Sequence, residues 1–252
     1  MSCVIVRGCR IGEGRPKIIL PIVEKSEAAI LQRAAEFSAL RADCVEWRVD
    51  LFDGAGDLRA IAHCLARLRV ALKDKLLLVT LRTKPEGGSA ELAHDAYLRY
   101  LQTVLDTDCA DLIDIEFFTA GRDLPSLAEQ AHTAGVRVVC SSHDFRKTPP
   151  RSELVERMVS MQQAGADLPK LAVMPSTRTD VLELLAATAE MADHHPETPV
   201  ITMSMGTLGA VSRLCGEAFG SAMTFANPGT ASAPGQVGLD VVNPVLDSLR
   251  LG

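Results

Sequence analysis

Eight short apolar runs recur along the chain, beginning near Ile18, Val45, Leu77, Leu112, Val138, Leu168, Val200 and Ala222, at spacings of 27, 32, 35, 26, 30, 32 and 22 residues. Each reads as a strand, and each is followed by a segment with helical periodicity. A strand, a crossover helix and the next parallel strand take roughly 30 residues. Parallel neighbours require such crossovers, because a tight turn can only join antiparallel strands. Eight units in 252 residues predict an α/β chain closed into one (β/α)8 barrel domain over residues 1–252, with a short N-terminal β extension at Val4-Ile5-Val6.

The helical segments support this count. Leu154, Met158 and Met161 recur at i, i+4 and i+7, and Leu98, Leu101 and Leu105 at i, i+3 and i+7, each giving one apolar stripe to lie on a sheet. Asp180-Val181-Leu182-Glu183 resembles a capping box opening a helix that carries Leu182, Leu185 and Ala189. The last unit is different. Residues 226–238 are rich in Gly, Pro and Ser and too long for a plain connection, and loops of that length are either functional lids or disordered.

Hydrophobic residues make up 47% of the chain, enough for a sizeable core, yet no run approaches the ~18 apolar residues of a membrane span. The N-terminus lacks the pattern of a secretory signal, so a cytoplasmic location is expected. Seven scattered cysteines without a C-x-x-C pair argue against a disulfide framework and a structural zinc site. A net charge of −6 weighs against nucleic-acid binding, and an anionic ligand would need local arginines to overcome that field.

Parity along the strands locates those arginines. Side chains alternate between the two faces of a strand, and barrel active sites sit at the C-terminal strand ends. Glu46 and Arg48 share one parity while Val45 and Trp47 take the other; Thr80 pairs with Arg82, Asp114 with Glu116, Ser141 with His143, and Met203 with Met205. The apolar parity packs on the helices. Glu46, Arg48, Arg82, Asp114, Glu116, His143 and Lys170 are therefore expected to converge on one polar mouth.

Lys170 is the most demanding member, because it lies inside the apolar run Leu168-Pro169-Lys170-Leu171-Ala172-Val173. A free lysine has a pKa of about 10.4, and a buried ammonium either pairs or gives up its proton. A neutral buried amine is a nucleophile toward carbonyls. Its imine acts as an electron sink that acidifies the adjacent carbon, and His143 is the natural group to remove that proton. Glu86, on the loop after the third barrel strand, is placed to orient His143. The six histidines form no H-x-H or H-x-x-x-H pair, and no phosphate-binding glycine loop occurs, so neither a metal nor a cofactor beyond the lysine is expected. His194-His195 is expected to close a helix and meet its dipole.

Glu46-Trp47-Arg48-Val49-Asp50, Thr80-Leu81-Arg82 with Glu86-Gly87-Gly88, Ser141-x-His143-Asp144-Phe145, Ala166-Asp167-x-Pro169-Lys170-x-Ala172-Val173-Met174-Pro175, Met203-Ser204-Met205-Gly206 with Ser212-Arg213, and Ala231-Ser232-Ala233-Pro234-Gly235-Gln236 together resemble type I 3-dehydroquinate dehydratase. The resemblance covers nearly the whole chain and its motifs fall in order at strand ends. It implies a (β/α)8 barrel, commonly a homodimer, that converts 3-dehydroquinate to 3-dehydroshikimate through an imine and a syn elimination in the shikimate pathway. It also implies that Lys170 forms the imine, His143 is the general acid–base and Glu86 is the carboxylate beside it. Glu46 and Arg48 resemble a hydroxyl-binding pair, Arg82 a further contact, and Arg213 the partner of the substrate carboxylate. Trp47, Met203 and Phe225 join the substrate-binding set, as do Ser232, Ala233 and Gln236 from the lid. Two departures stand out: Pro21 replaces a serine that contacts substrate in some members, and Asn227-Pro228-Gly229-Thr230 replaces a bulkier lid stretch, which implies altered lid dynamics rather than lost chemistry. Two rival readings are a class I aldolase and a barrel that binds a carboxylate without catalysis.

Overall fold

Every barrel strand carries two messages in its alternating side chains, and the structure, a computed structural model describing residues 2–229 and 235–251, shows both satisfied. An antiparallel hairpin of β1 (Val4–Val6) and β2 (Cys9–Ile11) precedes the barrel. Its two-residue turn, Arg7-Gly8, has positive φ at both positions, the twist that matches the flanking strands. The parallel strands follow as β3 (Lys17–Ile22), β4 (Cys44–Arg48), β5 (Leu76–Thr80), β6 (Leu112–Glu116), β7 (Arg137–Asp144), β8 (Leu168–Val173), β9 (Ile201–Ser204) and β10 (Met223–Asn227), hydrogen-bonded in sequence with β3 also beside β10. The Val200–Ser221 bridge and the bond from Ala222 N to Val200 O (2.8 Å) join the remaining pair, closing the barrel. A two-residue β11 (Val237–Gly238) adds to the outer end of β10.

The helices are α1 (Glu27–Ser38), α2 (Leu58–Leu72), α3 (His94–Leu105), α4 (Phe117–Ala120), α5 (Leu124–Thr133), α6 (Arg151–Gln163), α7 (Arg178–His194), α8 (Gly206–Gly209), α9 (Gly216–Phe219) and α10 (Leu239–Ser248). Outward strand residues such as Ile18, Val45, Trp47, Leu77, Val79, Ile113, Val138 and Leu171 form a continuous layer with the helices. Leu154, Met158 and Met161 of α6 are fully buried in it, as the periodicity predicts. Burying a side chain of this size stabilises a fold by about 1.5–3 kcal/mol.

The inward parity changes character along each strand. At the N-terminal end it is apolar: Ile19, Cys44, Leu76, Leu112, Val139, Leu168 and Ile201 form an inner cluster, and Val6 and Ile11 of the hairpin join it as a plug. At the C-terminal end the same parity carries Glu46, Thr80, Asp114, Glu116, Ser141, His143 and Lys170. The apolar half supplies a packed support for the polar half above it.

Two expectations are corrected. The capping box of α7 is Thr177 with Asp180, one register earlier than the sequence suggests, so the buried stripe is Val181, Leu184, Leu185 and Thr188, and Leu182 is exposed. The threonine hydroxyl reaches the Asp180 backbone and the carboxylate returns the contact, a closure that Asp180-Glu183 does not make. No long helix follows β9: only α8, a 3-10 turn at Ala210–Arg213 and α9 fill the shortest spacing in the chain. Gly209 sits where a Cβ would meet Ser204 O at 2.3 Å, so this segment is folded tightly against the strand it leaves. His194 ends α7 and His195 caps it, as expected.

Candidate active site

The C-terminal mouth of the barrel holds a cavity of about 270 Å³. Its walls include Glu46, Arg48, Arg82, Glu86, His143, Lys170, Met203, Arg213, Phe225 and Gln236, together with Leu51, Gly87, Ser89, Phe145, Ala172 and Met205. Nearly all residues singled out in the sequence therefore meet in one place, although they come from six strands and the segments after them. Ser232 and Ala233 lie outside the described residues.

Trp47 is the exception. Its ring is fully buried in the outer layer, 5.8 Å from the ring of Phe52, because position 47 has the outward parity of β4. A side-chain contact to substrate is ruled out by that placement, and the parity reading rather than the family motif describes Trp47. Asp114 and Glu116 have the inward parity but lie below the cavity, fully buried, as its floor.

Arg82 is the hub of that floor. Its Nη1 donates to Glu116 Oε1 (2.9 Å) and Ser141 Oγ (2.9 Å) and its Nη2 to Asp114 Oδ2 (2.8 Å), with Glu86 Oε2 at 3.4 Å from Nη1. Burial works against the guanidinium charge, but Asp114, Glu116 and Glu86 outweigh it and hold the group above its ordinary value. Glu116 also accepts from Thr83 N, Thr83 Oγ1 and Thr119 Oγ1, which pins the loop leading to Glu86. In that loop Gly88 packs so closely that a Cβ would stand 2.0 Å from Arg82 O.

Glu86 Oε2 lies 2.9 Å from His143 Nδ1. Burial, followed by the charges of Arg82, Lys170 and Arg48, holds the imidazole well below its usual range. Burial pushes the Glu86 carboxyl up to about 8 despite Arg82, with Glu116 and Asp114 adding to the rise. Phe145 stacks beside His143 at 6.5 Å, and Gly87, at φ 80°, leaves room for it: a Cβ there would stand 2.3 Å from the Phe145 ring.

Lys170 is only 3% exposed; its Nζ is 3.2 Å from Asp114 Oδ2 and 4.8 Å from the centroid of the Phe225 ring. Arg48 forms a two-point ion pair with Asp50 (2.8 and 2.9 Å), and Asp50 accepts from Arg82 N and Ser89 N as well. Glu46 accepts from Thr80 Oγ1 (2.9 Å). Arg213, carried on the 3-10 turn after β9, is buried with Nη1 3.5 Å from Met203 Sδ, and burial pushes its guanidinium down to about 10, still cationic at neutral pH.

Strand parity misses Asp50, because the chain leaves β4 before reaching it; the only sequence signal is its place two residues after Arg48 in the Glu46–Asp50 motif. Parity also misses Arg213, Phe145 and Gln236, which lie beyond strand ends or on late loops. Pro21 has the inward parity of Ile19 but lines an adjoining hollow with Val23, Glu24, Arg33, Phe37, Pro228 and Gly229 rather than the central cavity. The described ends of the lid are tied together: Ala226 pairs with Val237, and Asn227 Nδ2 donates to Gln236 O (3.2 Å).

A cavity with one buried lysine, a histidine–carboxylate pair and three arginines suits carbonyl chemistry on a small anion. Comparisons with known proteins agree. The sequence model of the type I 3-dehydroquinase family matches residues 18–251. The 3-dehydroquinate dehydratase of Bacillus subtilis is 45% identical over 250 residues, covering 99% of this chain and 98% of the relative. A crystal structure of the type I 3-dehydroquinate dehydratase of Clostridium difficile with covalently modified comenic acid superposes with a TM-score of 0.95 at 43% identity, covering 98% of this chain and 97% of that one. The Geobacillus kaustophilus 3-dehydroquinate dehydratase gives a TM-score of 0.94 at 35% identity, over 98% and 96%. Family model, full-length identity and superposition converge on the fold described above, and the chain belongs to the type I 3-dehydroquinase family of lyases.

Proposed function

We propose that this enzyme dehydrates 3-dehydroquinate to 3-dehydroshikimate through an imine on Lys170 and a syn elimination of water. The observation that carries this reading is the burial of Lys170 in the same cavity as the His143–Glu86 pair. A proton passes from Nζ to His143, the freed lone pair adds to the ring ketone, and the same proton returns to the departing hydroxyl, so that loss of water from the adduct leaves a protonated C=N bond. With Nδ1–H donated to Oε2 of Glu86, Nε2 of His143 is the basic nitrogen. It removes a proton from the carbon beside the imine, and the electron pair moves into the C=N system. The C–O bond on the next carbon then breaks, and the departing hydroxide leaves with the proton that His143 carries. One group serving both transfers accounts for the syn course. A second water then breaks the C–N bond and frees the lysine, so one water is lost overall.

Arg213 is a receptor for the substrate carboxylate, since a buried guanidinium whose pKa is pushed down by burial is stabilised by an incoming anion. Glu46 and Arg48 hold ring hydroxyls, and Met203 and Phe225 supply the apolar wall. The reading extends to a homodimer working in the cytoplasm at a step of aromatic amino-acid biosynthesis, the dimer being checked by sedimentation. Among the described residues, no helix is long and apolar enough to cross a membrane.

Incubation with 3-dehydroquinate should produce the near-UV absorbance of a conjugated enone. Aldol cleavage or simple binding gives no such signal. Borohydride added with substrate should leave a stable mass increase on Lys170, and an active protein with an unmodified Lys170 peptide would rule the imine out. A His143→Ala variant should still form the adduct while turning over poorly; full activity there would remove His143 from the mechanism.

A further inference from the structure

The carboxylate nearest the reacting nitrogen has no part in the steps above. Asp114 Oδ2 lies 3.2 Å from Lys170 Nζ, and the residue is fully buried beneath the cavity. It is also held in place: Oδ2 accepts from Arg82 Nη2 (2.8 Å), and Oδ1 accepts from Ser141 Oγ (2.6 Å). The other floor carboxylate, Glu116, is occupied by the loop donors Thr83 and Thr119 together with Arg82, and Glu86 faces His143.

The chemistry leaves a requirement at that nitrogen. An imine withdraws electrons from its neighbouring carbon only while it is protonated, so elimination proceeds over a buried, fixed cation. Arg48, Arg82 and Arg213 line the same cavity and oppose a further positive charge. A carboxylate fixed beside the nitrogen offsets that repulsion without having to reorganise as the charge develops.

We propose that Asp114 is a catalytic residue, the counter-ion that keeps the Lys170 imine protonated during elimination, with Ser141 and Arg82 fixing its position. The proposal rests on the imine reading. Asp114 transfers no atom: the C=N proton stays on nitrogen from loss of the first water until the second water adds, and the ring proton goes to His143. Consistent with this role, burial would raise the Asp114 carboxyl, but Arg82 and Lys170, with the Ser141 hydrogen bond, outweigh it and hold the group below its usual range, ionised at neutral pH.

The test is Asp114→Asn, with Glu116→Gln as comparator. Both variants weaken the anchoring of Arg82, but only the first removes charge from the imine. Asp114→Asn should lower kcat by about 100- to 1000-fold with KM changed less than about threefold, the scale seen when one fixed electrostatic partner of a reacting charge is removed. The alkaline limb of its kcat profile should move to lower pH, and borohydride labelling of Lys170 at alkaline pH should fall in parallel. Glu116→Gln should leave that limb in place. Should Asp114→Asn not fold, Ser141→Ala keeps the charge but frees the carboxylate to turn, and a smaller shift of the limb in the same direction is expected. Wild-type labelling on Lys170 with an unmoved alkaline limb in Asp114→Asn, or in Ser141→Ala where that is the variant available, would overturn the counter-ion and leave the imine standing. Equal shifts in Glu116→Gln would reduce Asp114 to a support for Arg82. A wild type that is active without labelling Lys170 would overturn both.

Discussion

The wall of the cavity built on β5, β6 and β7 and the wall built on β9 and β10 hold their arginines in different ways. Arg82 is surrounded by acceptors from two strands and a loop, and its charge is stabilised by the protein itself. Arg213 sits against Met203, with Met205 and Phe225 in the same wall, and burial depresses its pKa. The first wall fixes charges before substrate arrives. The second presents apolar surface and a buried cation that, on the proposed function, receives the substrate anion. The walls should therefore fail differently: damage to the first alters stability and chemistry, damage to the second alters affinity.

Lys170, on the strand between the walls, gives the largest expected effect. Lys170→Met keeps the apolar stem against Phe225 and removes the nucleophile. Turnover should fall by about four orders of magnitude or more, the scale seen when a covalent nucleophile is deleted, and the borohydride adduct should vanish. A residual rate within tenfold of wild type would show that the amine is not needed.

The two arginines then test the contrast directly. Arg82→Lys cannot satisfy Asp114, Ser141, Glu116 and Glu86 with one ammonium, so thermal unfolding should show a loss of about 3–5 kcal/mol, the usual cost of breaking a buried ion pair. Arg213→Lys should leave the melting temperature within a few degrees and raise KM by about 10- to 100-fold, the loss of a bidentate carboxylate contact. Equal effects on stability from both variants would erase the distinction between the walls.

How much of this was visible beforehand follows from the same contrast. The first wall and the strands beside it, β4 and β8, follow strand parity, which is a two-state code: Glu46, Arg48, Arg82, Asp114, Ser141, His143 and Lys170 all take the inward side because a strand side chain has only two directions to take. Parity does not encode depth, so the sequence could not separate the floor residues Asp114 and Glu116 from the lining. Trp47 shows the reverse error, where a motif neighbour was drawn into the site although its parity pointed outward. The second wall depends on the tight, glycine-interrupted segment after β9 and on the ends of the lid. No periodicity governs those stretches, and only the family resemblance brought Arg213 and Gln236 into view.

Glu86 tests the first wall through pH. Its carboxyl has a pKa near 4.5 in water and about 8 when folded, so between those values the folded chain keeps a proton that the unfolded chain releases. That contribution to stability is full below pH 4.5 and is lost as pH rises through 8. Glu86→Gln removes the slope. The melting temperature of the variant relative to wild type should therefore rise from pH 5 to pH 8.5, by an amount on the order of a few kcal/mol in stability. His143, held low by burial, contributes the opposite slope below its ordinary 6.5 and is present in both proteins. A difference independent of pH would show that Glu86 is ionised throughout.

The smallest effect is expected at Asp50, a positioning residue that acts through Arg48. The Arg48–Asp50 pair is two-point, and Asp50 also accepts from Arg82 N and Ser89 N, so it ties Arg48 to the loop that carries Glu86. Asp50→Asn keeps the shape, leaves one acceptor oxygen and turns the other position into a donor facing an arginine or a backbone N–H. The Arg48 guanidinium then loses its fixed plane while keeping its charge. KM should rise by about three- to tenfold, a cost on the order of 1 kcal/mol, with kcat lowered less than KM is raised. Arg48→Lys should show a similar rise, and the double variant should be no worse than the poorer single one, because both act on one contact. Additive effects would mean that Asp50 serves the Glu86 loop independently of Arg48, and β4 would then meet the first wall through two separate supports rather than one connected network.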